Sequence, residues 1–160
     1  MGRVLVGQRV ELHPLDQSFF KEYLTSFSEL VRSYIGVDLD SERLYLEAHH
    51  RQMQRGETLF FTIFCKETKT LMGAIEVRSA RYRGQLYYWL NEKYWSQGFL
   101  QEALQLVFEY YAQNAKEKSV TAFVDVSNAR SIKVLKRFGF KKKETRKGPR
   151  ENQIEMVYFL

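Results

Sequence analysis

A chain of 160 residues, 44% hydrophobic and 15% aromatic, is long enough to fold as one domain, residues 1–160, around a sizeable core. Its one cysteine, Cys65, excludes an internal disulfide, and no apolar run or leader pattern marks a membrane span, so a soluble, cytoplasmic chain is expected. The net charge of +6 is uneven: Asn128 to Arg150 carries ten basic residues against Glu144, a net +9 that leaves −3 for the remainder and implies either an anionic neighbour or a solvated lysine-rich surface.

In chain order, Arg3 to Leu12 alternates apolar and polar residues as short strand pieces, ended by His13-Pro14. Asp16 can cap a helix whose face runs Phe19, Phe20, Tyr23, Leu24, Phe27, Leu30, Val31 and Tyr34, stopped by Gly36. A second helix, Ser41 to Gln54 with Asp40 or Ser41 as cap, turns Leu44, Ala48 and Met53 inward. Strands Thr58 to Cys65 and Leu71 to Arg78 follow, and Cys65, within an apolar run, reads as a core thiol. Gln85 to Leu90 is the next strand; then Leu100, Ala103, Leu104, Val107, Phe108 and Tyr111 recur at helical spacing to about Asn114. Ser119 to Val126 is a buried strand. Ser127-Asn128 caps a short helix with Ile132, Leu135 and Phe138 inward, and two last strands, Phe140 onward and Asn152 to Phe159, are joined by a loop with Gly148-Pro149. The order β, α, α, β, β, β, α, β, α, β, β predicts a mixed α/β sheet with one central βαβ crossover and hence one pair of parallel neighbours.

The stretch YYWLNEKYWSQGFLQEALQL, Tyr87 to Leu106, organises the rest. It is strand, glycine-containing loop, helix, an arrangement that aims backbone N–H groups and the positive end of a helix dipole at one spot suited to a phosphate, or merely turns the chain. Gly98 is its one residue free to take positive φ.

With Asn128-x-x-Ser131 ahead of VLKRFGF, the opening RVELHPLD and the strand LMGAIEV, this stretch resembles the GNAT N-acetyltransferase superfamily, and more closely its RimJ/RimL-type ribosomal-protein N-terminal acetyltransferase branch, over essentially the whole chain. The resemblance implies a GNAT-like acyl-CoA N-acyltransferase fold, mostly antiparallel, with acetyl-CoA as co-substrate. It implies that the backbone at Leu90 and Asn91 pairs with the pantetheine arm and that amides of Gln97, Gly98, Phe99, Leu100 and Gln101 cradle the pyrophosphate. Asn128 becomes a ligand of the cofactor arm, and Ser131 a proton donor to the departing thiolate. Three departures stand out: Trp95 replaces the first residue of the pyrophosphate pattern, Ser96 and Leu100 stand where glycine or alanine is usual, and Gln85 stands where a glutamate often begins the strand. Leu100 can therefore crowd the phosphates.

Transfer from a thioester to an amine needs a neutral amine held close, an oxyanion donor such as a strand N–H near Leu90, and a proton for the thiolate. Glu76 is a candidate base if it faces the acceptor cleft, and otherwise a solvent-facing strand residue. His13, His49 and His50 sit in no recognisable constellation and read as surface or packing residues, and no histidine–cysteine spacing suggests a metal. Arg130 and Lys133 can approach the cofactor's 3′-phosphate, while Lys141 to Arg150 would flank the acceptor. The leading reading is an acetyl-CoA-dependent N-acetyltransferase acting on a protein or peptide N-terminal amine, the acceptor being acidic or held within an anionic assembly. The alternatives are a small-amine (antibiotic, amino sugar or amino acid) acetyltransferase and a non-catalytic CoA-binding module. A nucleic-acid binder ranks lower, for want of a base-reading motif.

Overall fold

A computed structural model describes residues 2–78, 84–147 and 152–160. The expected Gly148-Pro149 loop and Arg150 lie outside the described residues, as do the side chains of Arg146 and Lys147. Alternating Val10 and Leu12 build β2 (Val10–Pro14), which pairs with a two-residue β1 (Leu5–Val6). The continuous apolar runs form β3 (Thr58–Cys65) and β4 (Leu71–Arg78), buried on both faces, and Cys65 is a buried free thiol as expected. β5 (Gln85–Leu90), β6 (Ser119–Asp125), β7 (Lys141–Lys147) and β8 (Gln153–Phe159) complete a sheet of order β1-β2-β3-β4-β5-β6-β8-β7. Every described neighbour is antiparallel except β5 and β6, the pair predicted to be parallel.

Helices cover both faces. α4 (Phe99–Asn114) lays Ala103, Leu104, Val107, Phe108 and Tyr111 on one face, with Leu135 from α5 (Ala129–Phe138) in the same core. On the other face Tyr23 of α1 (Phe20–Ser26), Val31 of α2 (Glu29–Ile35) and Leu46 of α3 (Leu39–Gln54) pack with Phe60 and Trp89.

Two helix readings are corrected. The first predicted helix is two, broken at Phe27 because Ser28 starts a new one, its Oγ accepting the Val31 N–H at 3.2 Å. In α3 the cap is Asp38, and the buried stripe is Glu42, Leu46, His49 and His50 rather than Leu44, which is 65% exposed. The inward face of this helix is partly polar, so hydropathy periodicity picks the wrong side.

Candidate active site

The site begins where β5 leaves its parallel neighbour. β5 and β6 are in register only at Gln85↔Thr121, so beyond that point the β5 edge has no partner strand. The Asn91 N–H donates to Met72 O at 2.8 Å, and ladder alternation therefore turns the N–H and C=O of Leu90 away from β4, toward the open edge. The Leu90 carbonyl is taken by the Trp95 indole N–H at 2.7 Å, which leaves the Leu90 N–H as the polar group aimed into the gap. Of the two residues expected to pair with a pantetheine arm, then, Asn91 has its N–H occupied by β4, and its side chain donates to Ser26 O at 2.9 Å and caps Lys93. Gly73 keeps the strands this close: a Cβ there would lie 2.2 Å from Trp89 O.

The loop after β5 reverses sharply. Ser96 (φ 60°) and Gly98 (φ 83°) are both left-handed, and Gly98 is the N-cap of α4 with no side-chain cap. The Glu102 N–H closes the first turn on Gly98 O at 3.2 Å, so the N–H groups of Phe99, Leu100 and Gln101 precede the helical ladder and are unclaimed by it. Leu100 packs partly against the core and also lines the groove beside these amides. Gln97 offers its carbonyl to Arg9 Nη1 at 2.9 Å, and Arg9 crosses the Phe99 ring at 4.6 Å. Arg9 escaped the sequence reading. Its backbone and guanidinium both bind Glu102, which ties the N-terminal hairpin to the start of α4 and neutralises the one carboxylate in that turn.

Across the gap, Asn128 Oδ1 caps α5 by accepting the Ser131 N–H at 3.1 Å. Arg130, Lys133 and Arg137 line the groove that the amides face, and Arg130 lies 3.8 Å from the Trp95 ring centroid. Arg137 was missed, although positions 130, 133 and 137 follow helical spacing. This groove has a volume of about 360 Å³. Its amides, three cations and open strand edge fit a long polyanionic cofactor such as CoA.

A second cavity of about 410 Å³ opens on the α1–α3 face, and the two share Tyr34, Ile35, Tyr88, Trp89, Asn128 and Ser131. At that junction Ser131 Oγ is hydrogen-bonded to the Tyr88 hydroxyl. Burial pushes the Tyr88 hydroxyl up to about 12, the Ser131 bond only partly opposing it, so the phenol stays protonated at neutral pH. Tyr88 was not singled out from sequence, since its partner lies 43 residues away.

Glu76 lines the second cavity and is 2% exposed, so it is not a solvent-facing strand residue. One of its oxygens accepts from Thr58 Oγ1 at 2.7 Å and is bonded to His49 Nδ1; the other accepts from the Tyr45 hydroxyl and from Arg78 Nε at 3.3 Å. Burial works to raise its proton affinity, but the His49 hydrogen bond and charge, with Arg78 and Tyr45, outweigh it and hold the carboxyl below its usual range. His49 is thus part of a buried network rather than an isolated packing residue. His13 packs edge-on against Phe19 and Phe64, and His50 against Phe20. Gln85 is in the cavity wall, donating to the Tyr87 hydroxyl at 2.9 Å. A carboxylate the sequence did not flag, Glu42, is also in this wall.

The acetyltransferase (GNAT) domain family matches residues 9–141. The chain belongs to that family. This GNAT domain is 24% identical over 153 residues to the probable N-acetyltransferase YjcK of Bacillus subtilis, covering 87% of this chain and 84% of that protein. It is 33% identical over 90 residues to the ribosomal-protein-serine acetyltransferase of Escherichia coli, 54% of this chain and 49% of the relative. In fold it matches RimL, a ribosomal L7/L12 alpha-N-protein acetyltransferase solved in complex with coenzyme A, with a TM-score of 0.79 at 17% identity over 99% of this chain and 98% of that one. The chain is thus similar in part of its sequence to one ribosomal-protein acetyltransferase and in fold to another. Its GNAT relatives include proteins solved with CoA and acetyl-CoA, and among the described residues no cluster suited to a metal is present.

Proposed function

We propose that this GNAT domain transfers the acetyl group of acetyl-CoA directly to a primary amine, and that the amine is a protein or peptide N-terminus. The observation that carries the reading is the junction of two cavities at Tyr88, Trp89, Asn128 and Ser131. One limb offers amides and cations to phosphates; the other offers an aromatic wall with carboxylates to an amine. The co-substrate, once bound, supplies the acetyl thioester at the junction. The protein's own part is to hold, orient and move protons. The amides of Phe99 to Gln101, with Arg130, Lys133 and Arg137, would hold the phosphates. Asn128 would hold the pantetheine arm. The Leu90 N–H is the donor placed for an oxyanion, a role in which one donor is commonly worth about 10²–10³ in rate. Ser131, backed by the Tyr88 phenol, would give a proton to the sulfur.

The outer rim extends the reading to the acceptor. Lys141, Lys142 and Lys143 are exposed on the edge strand β7, and Lys143 Nζ lies 3.8 Å from Glu155 on β8. With this basic edge flanking the acceptor, as the family resemblance implies for the last hairpin, the cavity would suit an amine on an acidic body, such as a protein within an anionic assembly, and would disfavour polyamines. Incubation with acetyl-CoA and a serine-initiated peptide, read by mass spectrometry, tests this directly. An acetylated N-terminus that disappears in Ser131→Ala supports it. Modification of small amines alone would transfer the reading to the small-amine class, and CoA binding without any product would make the domain a binding module.

A further inference from the structure

We propose that Glu42 is the carboxylate that receives the acceptor amine, holding its ammonium group and taking one of its protons; this rests on the acetyl-transfer reading above. Glu42 stands on the inward stripe of α3, one turn before Leu46, and is 7% exposed in the wall of the acceptor cavity that also reaches Ser131. The Tyr23 hydroxyl donates to one of its oxygens at 2.7 Å, and the Trp89 indole N–H donates to Tyr23 at 2.8 Å. The carboxylate is thereby anchored to the β5 residue next to Leu90, where the acetyl carbonyl would be polarised. Among the described residues Tyr23 is its only hydrogen-bond partner, and no cation lies within ion-pair distance.

Glu76, in the same wall, is the contrast. Its two oxygens serve four protein donors, so nothing of it is left for a substrate without breaking that network. A buried carboxylate whose one partner is uncharged is costly to keep ionised unless a cation arrives to meet it. An ammonium group is the cation the reaction brings. The groups facing Glu42 are Tyr23 of α1, His49 of α3 and Glu76 of β4, the last held by Arg78. Burial raises the proton affinity of Glu42, the Tyr23 bond and the charge of His49 oppose this, Glu76 adds to it, and the net direction is up. That moves it toward the range in which a carboxylate is an effective base.

The balance of the step closes. The ammonium gives one proton to Glu42, which returns it to water through the open cavity. The nitrogen lone pair then forms the C–N bond to the acetyl carbon, and the C–S bond breaks with its pair on sulfur. Sulfur takes a proton from the Ser131–Tyr88 hydroxyl pair, and the second nitrogen proton restores that pair. The products are the amide, the thiol and one proton released.

The test uses Glu42→Gln, Glu42→Asp and Glu76→Gln in the full chain, with a serine-initiated hexapeptide and its N-acetylated form as probes. Calorimetric titration of CoA-loaded wild type should show the free amine preferred by about tenfold or more, a preference that Glu42→Gln loses and Glu42→Asp retains, with CoA affinity unchanged. In turnover, Glu42→Gln should lose about 10²-fold in kcat/KM near neutrality and recover as pH rises through the amine pKa of about 8, where the nucleophile is already neutral. An unchanged free-amine preference, with kcat/KM within about threefold of wild type, would overturn the assignment while leaving the transferase reading intact. A wild type that binds CoA but does not prefer the free amine overturns both the assignment and the N-terminal reading. One that binds no CoA removes the groove reading beneath them.

Discussion

Two buried glutamates in one cavity wall titrate in opposite directions, and this gives them opposite signatures in stability. Glu76 is held below its usual range because four donors favour its ionised form against burial. Its contribution is present above the ordinary carboxylate pKa of about 4.3 and is lost as pH falls through the lower folded value. Glu76→Gln should therefore cost about 3–5 kcal/mol near neutrality, shrinking in acid, as read by denaturant melts across pH. Glu42 is shifted upward, so its sign reverses: its protonated form is favoured in the fold, and stability falls as pH rises through that raised value. Glu42→Gln should leave stability unchanged in acid and raise the melting temperature near neutrality. A fall near neutrality would mean that the carboxylate is structural. Ser96 makes a smaller case. Its left-handed φ of 60° strains a non-glycine residue, and Ser96→Gly should stabilise by about 1 kcal/mol in urea unfolding, whereas a loss would mean its side chain makes a needed contact.

At the scale of elements, the site is an assembly of ends: the end of β5, the start of α4 and the start of α5. These were legible. The period change after Gly98 and the Asn128 cap are local signals, and local chemistry sets both. What was illegible shares one cause, that its meaning depends on residues distant in sequence. The stripe of α3 is inward although it carries Glu42 and His49, because those residues meet Tyr23 and Glu76 rather than water. From sequence, Trp95 is only a departure from the pyrophosphate pattern and Tyr88 one more strand residue, until Leu90 and Ser131 are brought beside them. The α5 stripe is intermediate: Arg130 and Lys133 were read from a resemblance, and Arg137 needed only the next turn. Removing two charges, as Arg130→Ala with Lys133→Ala, should weaken CoA binding and flatten its salt dependence, while dephospho-CoA should lose less. Equal loss for both ligands would place the stripe away from the 3′-phosphate.

At the scale of the whole molecule, two cavities meet at one junction, the proposed phosphate limb on the α4–α5 side and the proposed acceptor limb on the α1–α3 side. Charge follows the same division, with the cations Arg130, Lys133 and Arg137 lining the first limb and the buried carboxylates Glu42 and Glu76 lining the second. Charge reversal at Lys142 and Lys143 should raise KM for an acidic acceptor peptide and leave that of a neutral one alone; no change for either would remove the rim from recognition.

The central claim, that the open β5 edge and the α4 N-terminus form an acetyl-CoA site, is tested most directly by thermal melting of the purified chain with saturating acetyl-CoA beside dephospho-CoA. Ligand at a hundred times its Kd should stabilise the fold by about 2.7 kcal/mol, a shift of several degrees for a chain of this size. The structure predicts a clear shift with acetyl-CoA and a smaller one without the 3′-phosphate. No shift with either would contradict the site as described.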